Sequence, residues 1–294
     1  MSHPAGLGTS RTTLLIGQIS DIHIGFEPRN PDEPNMHRLR AVLERMFDGP
    51  NQLDLLLLTG DLTENGDRAS YATLAAAIDA APCPVLMIPG NHDTRAGLAA
   101  AFPDLVPTAG FQQIATEASD LRLLMLDTFD PGRHGGAFCE ERATWLSDRL
   151  AEAPDRPTII AMHHPPFVSG IDWMDPDPAE PWIARFAEAT SGYSQIRAVL
   201  CGHLHRAMVT SWQGAPLVVC PSTAPSVALN LSPIDAGDPD GRALIRDAPP
   251  GYALHRWDGT RLVSHFERVG GYEDVARFDA DLQPMIRGML AERQ

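Results

Sequence analysis

Histidine and aspartate collect at the ends of short apolar runs in this chain. "TLLIGQIS" (13–20) leads into Asp21 and His23, and "LDLLLL" (53–58) leads into Asp61. "PVLMIP" (84–89) leads into Asn91, His92 and Asp93. "TIIAM" (158–162) leads into His163 and His164, and "IRAVLC" (196–201) leads into His203 and His205. Imidazole and carboxylate are ligands for divalent cations. Without a thiolate among them, they suit zinc, iron, manganese or cobalt in five- or six-coordinate geometry. The candidate ligands in these sets exceed what one ion needs. Two ions sharing a bridging carboxylate would use them all.

Each residue taken alone has an ordinary reading. An Asp or Asn after a strand commonly turns the chain or caps a helix. A lone histidine there is more often a satisfied polar group, and His3, His37, His255 and His265 keep that reading. Six of the eleven histidines lie in the strand-end motifs, and five such sets are too many to assign to turns. Gly60, Gly90 and Gly202 each lie beside a candidate ligand. A missing Cβ lets backbone approach closely there.

The elements that must position these groups are readable from periodicity. The apolar runs are too short for helices and lack polar alternation, so buried strands fit them. Helical spacing appears between them: Met36, Leu39, Val42, Leu43 and Met46; Tyr71, Leu74 and Ile78; Ala143, Leu146 and Leu150. "EPWIARFAEA" (180–189) puts Pro181 at a first helical position, with Ile183 and Phe186 on one face. Alternating strands and helices predict a largely parallel sheet with helices outside. Ligand chemistry then collects at the carboxyl ends of the strands.

Residues 207–222 read as a hairpin turning at Gln213-Gly214, and 252–269 as another turning at Asp258-Gly259. Their antiparallel character predicts a second sheet. Loops at 165–181 and 230–251 read as no element. Residues 1–11 read as a loose tail, 12–270 as the body, and 271–294 as a helical extension. That extension uses Phe278, Leu282, Met285 and Met289 to cover the body or a second subunit.

The chain has 294 residues and a net charge of −15. An acidic surface repels polyanions, which argues against a nucleic-acid polymer or an anionic membrane as partner. There is no lysine, so Schiff-base and phosphate-loop lysine chemistry is excluded. Cys83, Cys139, Cys201 and Cys220 show no C-x-x-C spacing and read as free thiols in a reducing compartment. No leader pattern and no apolar run near ~18 residues is present, so a cytoplasmic protein without stable membrane association is expected.

The series "DIH", "GDLTENG", "GNHD", "HH" and "GHLH" resembles the calcineurin-like metallophosphoesterases over residues 13–229. Within them it is most similar to the class III cyclic-nucleotide phosphodiesterases and bacterial glycerophosphodiesterases. The resemblance implies an α/β fold, a four-layer αββα sandwich of two mixed sheets. It implies that Asp21, His23 and His205 hold one metal, Asn91, His163 and His203 the second, and that Asp61 bridges them. His163 rather than His164 is assigned by that resemblance alone. His92 would face the leaving group and Asp93 would orient it, unless Asp93 caps the helix that follows. His164 and His134 are candidate substrate contacts.

"LDTFDPGRHGGAF" (126–138) also matches the family loop after the fourth strand. Glu64-Asn65-Gly66 stands where the protein phosphatases of the superfamily carry Asp-Arg-Gly, which argues against a phosphoprotein substrate. The implied activity is hydrolysis of a small anionic phosphodiester, a cyclic nucleotide or glycerophosphodiester, through a hydroxide bridging two ions. A phosphomonoesterase and a non-catalytic, metal-stabilised module are the alternatives, and a homodimer or larger homo-oligomer is expected. Two divalent ions, or Fe3+ with a divalent ion, would be the cofactor. With two divalent ions, two aspartates and one hydroxide, the centre keeps a small positive charge. That local excess attracts a diester monoanion despite the acidic surroundings.

Overall fold

The segment Leu55–Thr59 explains why the apolar runs lack alternation. Leu56 and Leu58 pack with Leu39, Val42 and Leu74 on one side. Leu55 and Leu57 pack with Leu123, Ile159 and Leu200 on the other. Both faces are covered, so both must be apolar.

The computed structural model describes residues 13–28, 30, 32–105 and 107–293. The expected 1–11 tail lies outside them. The first half of the chain comprises β1 (Leu14–Ile19), α1 (Pro34–Phe47), β2 (Leu55–Thr59), α2 (Arg68–Ile78), β3 (Val85–Ile88) and α3 (Arg95–Ala101). Next come β4 (Ile114–Ala118), β5 (Leu121–Leu126), α4 (Glu140–Ala151), β6 (Thr158–Met162), α5 (Pro181–Thr190) and β7 (Ile196–Cys201). The chain ends with β8 (Met208–Trp212), β9 (Ala215–Val219), β10 (Ser226–Val227), β11 (Ile245–Arg246), β12 (Gly251–Trp257), β13 (Leu262–Arg268) and α6 (Gln283–Ala291).

Two large sheets form, in the orders β13-β12-β1-β2-β3 and β4-β5-β6-β7-β9-β8. β1, β2 and β3 are parallel, as are β5, β6, β7 and β9. The inner faces of the two sheets enclose one core. α1 and α2 cover the outer face of the first sheet, and α4 and α5 that of the second. This is the four-layer αββα sandwich.

The hairpins differ from expectation. They do not build the second sheet; each extends one sheet at an edge. β12 pairs antiparallel with β1, and β9 pairs parallel with β7. The parallel strands themselves divide between the sheets, a split that hydrophobic periodicity cannot register. Gln213 and Gly214, at φ 48° and 90°, close the β8–β9 turn as expected. β12 and β13 pair up to Trp257 and Leu262, so their loop is four residues long, Asp258 to Arg261. The 230–251 loop contains β11, which pairs with β10. α6 begins after Phe278 and Leu282 and buries none of its residues.

A polar thread crosses the inter-sheet core. His255 Nε2 donates to Gln18 Oε1 (2.9 Å), and His255 Nδ1 accepts from Ser264 Oγ (2.8 Å). The Gln18 amide donates to Thr59 Oγ1 (2.9 Å) and to the Cys201 carbonyl (3.1 Å). The neutral imidazole satisfies both partners, and burial pushes its pKa down to about 3.

Two stability predictions follow from this layering. Leu57→Ala should cost about 2–5 kcal/mol in urea unfolding, and Val209→Ala, on an exposed position of β8, less than about 0.5 kcal/mol. The unfolded chain protonates His255 near pH 6.5, whereas the folded chain does so only near 3. Its contribution is therefore complete above about pH 6.5 and is lost as pH falls towards 3. Wild type should lose more stability than His255→Gln on acidification from pH 7 to 4; equal slopes would contradict this.

Candidate metal centre

The strand ends are shaped by unusual backbone. Asp21, His23, Asp61, His203 and His205 have φ of 55°, 55°, 49°, 71° and 53°. They are five of the eight non-glycine residues at positive φ among the described residues. Such conformations cost on the order of 1–3 kcal/mol each and persist where surroundings hold them. The loops after β1 and β2 supply that hold. Asp21 N donates to the Gly60 carbonyl (3.0 Å), and Ile22 N and His23 N to the Asp61 carbonyl (2.8 and 2.9 Å). Gly60, at φ 92°, has no room for a Cβ against the His163 ring. A Cβ on Gly90 would collide with the Asp61 carboxylate.

One group unites Asp21, His23, Asp61 and His205, with potential ligand atoms all within 4.8 Å of one another. His23 Nδ1 donates to Glu64 Oε2 (2.7 Å), which turns Nε2 towards Asp61 Oδ2 (3.6 Å). His205 Nδ1 donates to the Pro225 carbonyl (2.8 Å), which turns its Nε2 towards Asp21 Oδ1 (3.5 Å). Fixing one ring nitrogen in this way commits the other as a lone-pair donor.

Asp61 leads to the second group. Its Oδ2 lies 3.3 Å from His163 Nε2, and His163 Nδ1 donates to the Thr59 carbonyl (2.7 Å). His163 and His203 share a group of close nitrogens that also includes His164. Asn91 Oδ1 and His163 Nε2 are buried without hydrogen-bond partners, while Asn91 Nδ2 contacts His134 Nδ1 (3.2 Å). Orphaned buried acceptors are costly, and coordination to a cation would satisfy such atoms. The donor set therefore fits two metal ions.

Electrostatics point the same way. Burial opposes charge on the His163 ring, yet the nearby Asp61 and Asp21 carboxylates bring it up to about 9. Burial also opposes a charged Asp61, but His163, His23 and His92 hold it well below the usual carboxylate range. Burial pushes His203 down, helped by His164 and His163. The carboxylates attract positive charge that protons and metal ions would compete for.

The bonds of Asp93, His92 and His164 bear on the roles expected for them. Among the described residues the Asp93 carboxylate bonds to other groups than His92, and the N-cap of α3 is Thr94. The buried Asp93 carboxylate accepts from Gly90 N, Leu62 N, Thr63 N, Thr63 Oγ1 and Tyr71 Oη, between 2.9 and 3.1 Å. It ties the loop after β3 to the loop after β2. His92 is oriented instead by the Glu64 carbonyl, which accepts from Nδ1 (2.9 Å). His164 is buried with both nitrogens engaged, by Thr128 Oγ1 (2.8 Å) and the His134 carbonyl (3.2 Å). It anchors the His134 loop, while His134 itself lines the cleft.

Glu64 was missed as a site residue. Its position three residues after Asp61 was readable, but its bond to His23 spans a turn that periodicity does not describe.

A family model for calcineurin-like phosphoesterases matches residues 14–207. The chain belongs to that family. Calcineurin-like phosphoesterases use divalent metals, and this histidine–aspartate cluster is able to bind them. Among relatives of this calcineurin-like phosphoesterase is a probable glycerophosphodiester phosphodiesterase of Arcobacter nitrofigilis. It is 29% identical, over 88% of this chain and 95% of its own. A 3',5'-cyclic adenosine monophosphate phosphodiesterase of Escherichia coli K12 is 28% identical, over 74% of this chain and 78% of its own. A dimetal phosphatase from Danio rerio shares the fold, with a TM-score of 0.55 at 13% identity over 85% of this chain and 98% of its own.

Asp93→Asn turns an amide NH2 towards groups that donate to the carboxylate, leaves donors without an acceptor, and should lower stability by about 2–4 kcal/mol. The pH–rate profile of the metal-loaded protein should keep its shape. A displaced limb at unchanged stability would return Asp93 to the role of orienting His92.

Proposed function

We propose that this calcineurin-like phosphoesterase is a binuclear phosphodiesterase acting on small anionic diesters. One observation carries the reading. The ring nitrogens of His23, His163 and His205 are turned onto Asp21 and Asp61 by fixed acceptors on their other side. Asp21, His23 and His205 would hold one ion, Asn91, His163 and His203 the other, and Asp61 both. Iron, manganese, zinc or cobalt would each suit this set. When bound, such ions supply Lewis acidity, activating water and neutralising charge on the phosphoryl group.

The remaining chemistry falls to side chains of the chain itself. His92 is half-buried and lines the same cleft as His23, Asp61, His203 and His205. Its Nδ1 proton is held by the Glu64 carbonyl, so Nε2 is the atom that exchanges a proton with the leaving oxygen. A ring protonated at both nitrogens can donate there and remain a bound neutral tautomer afterwards. An alkoxide is a poor leaving group, so this proton matters more for diesters of alcohols than of phenols. The four cysteines are free, which supports a cytoplasmic setting.

His92→Ala should keep its bound metal and lose about 10²–10⁴-fold in kcat on an alkyl diester. Asn91→Ala should fall from two ions per chain towards one by elemental analysis, with turnover reduced alongside. Bis(p-nitrophenyl) phosphate should be cleaved faster than p-nitrophenyl phosphate. The reverse preference would assign the centre to monoesters.

A further inference from the structure

Asp127 follows β5, a parallel strand that sends no ligand to the candidate metal centre. Its carboxylate is fully buried. It accepts from Arg95 Nε (2.6 Å), Arg95 Nη2 (2.8 Å), Gln112 N (2.8 Å) and Phe129 N (3.0 Å). Arg95 also donates to the Phe129 carbonyl (2.8 Å), and Arg142 to the Asp127 and Phe129 carbonyls (3.0 and 3.4 Å). The guanidiniums alternate with aromatic rings. Arg95 lies over Phe129 and Phe111, 5.0 Å from each centroid, and Arg142 over Phe111 and Phe138, at 4.6 and 5.9 Å. A guanidinium held at its edge by a bidentate carboxylate and at its faces by rings has little freedom to move.

The two partners of this ion pair come from different sheets. Arg95 is the first residue of α3 and stands three residues past His92. That segment leaves β3, the edge strand of the first sheet. Asp127 leaves β5 in the second sheet, where β6 and β7 lead into His163 and His203. Thr128, next to Asp127, is bonded to His164 Nδ1 (2.8 Å), and His164 adjoins His163. Asp93 and Asp61 hold the loop after β3 to its neighbour in the first sheet. The pair of Arg95 and Asp127 joins that loop to the second. The core gives α3 little other support, since Leu98 is its one buried residue. The half-buried His92 ring is bonded to the Glu64 carbonyl (2.9 Å), so the direction of its Nε2 depends on where this loop sits.

We propose that Arg95, acting through Asp127, is a positioning residue for His92. The ion pair sets the loop that carries the proton donor against the sheet that carries His163 and His203, so that Nε2 meets the leaving oxygen. The proposal rests on the phosphodiesterase reading with His92 as donor. An ion pair that only stabilised the fold would affect every substrate alike. One that positions a proton donor matters in proportion to the leaving group's demand for a proton.

The test compares diethyl phosphate with ethyl p-nitrophenyl phosphate on manganese-saturated full-length protein. The two differ only in the leaving group. In each, water's oxygen joins phosphorus, ethanol or p-nitrophenol leaves, and ethyl phosphate is the common product. Arg95→Met keeps an apolar stem between the rings and removes the ion pair. It should lower kcat on diethyl phosphate about 10–10²-fold, and on the nitrophenyl ester less than about threefold. Arg95→Lys should fall between, because an ammonium keeps the charge without the fork. In a His92→Ala background, Arg95→Met should cost nothing further on diethyl phosphate. Arg95→Met/Asp127→Asn leaves no buried carboxylate unpaired and carries the same test where the single variant does not fold. Amides of residues 91–97 should exchange with solvent faster in either variant. Equal losses on both esters, a further loss in the His92→Ala background, or unchanged exchange would overturn the positioning role alone. A wild-type protein active on the nitrophenyl ester but not on diethyl phosphate would remove His92 as donor, and the proposal with it. One that cleaves neither ester would overturn the phosphodiesterase reading as well.

Discussion

The carboxylate of Asp61 is the constraint around which the rest is arranged. Oδ1 accepts from the His92 backbone (2.9 Å), so it fixes the loop after β3. Oδ2 faces His23 Nε2 and His163 Nε2 from opposite groups. Its own carbonyl holds the backbone of Ile22 and His23. One residue at φ 49° therefore registers three strand ends across two sheets. The backbone strain at Asp21, His23, His203 and His205 follows from the same demand. The chain must reverse sharply at the sheet edge while sending side chains inward.

The inter-sheet core makes that arrangement rigid. Leu55, Leu57, Leu123, Ile159 and Leu200 lock the two sheets face to face. The thread from His255 through Gln18 to Thr59 and the Cys201 carbonyl crosses this core just below the centre. Thr59 and Cys201 immediately precede the glycines that lead into Asp61 and His203. Buried polar networks of this kind favour one register, since a slip would leave several polar groups unpaired.

Much of the site was legible because strand-end position and ligand type coincide. The five strand-end sets could be picked out as chemistry-bearing ends of apolar runs, while the choice of Asp21, His23, Asp61, Asn91, His163, His203 and His205 within them came from the family resemblance; the structure gathers the histidines and aspartates of this set into neighbouring groups. What periodicity could not give was the role of a side chain set by a turn. Asp93 follows His92 in sequence but points back into the loop after β2. Glu64 looked like a family difference and instead holds His23. The fold was legible as alternating strands and helices. Its division into two sheets was not, because both faces of every central strand are apolar whichever sheet it joins. β4 went unrecognised since "IATEA" alternates weakly and borders the sheet's edge. α3 is only seven residues long, too short for a periodic signal.

The acidic total of the chain and the anionic substrate are compatible only if positive charge is concentrated at Asp61. The most direct measurement is anomalous X-ray diffraction from crystals equilibrated with manganese. Two peaks about 3.5–4 Å apart, one on each side of the Asp61 carboxylate, are the result this account requires. A single peak, or two peaks of which only one touches Asp61, would contradict it.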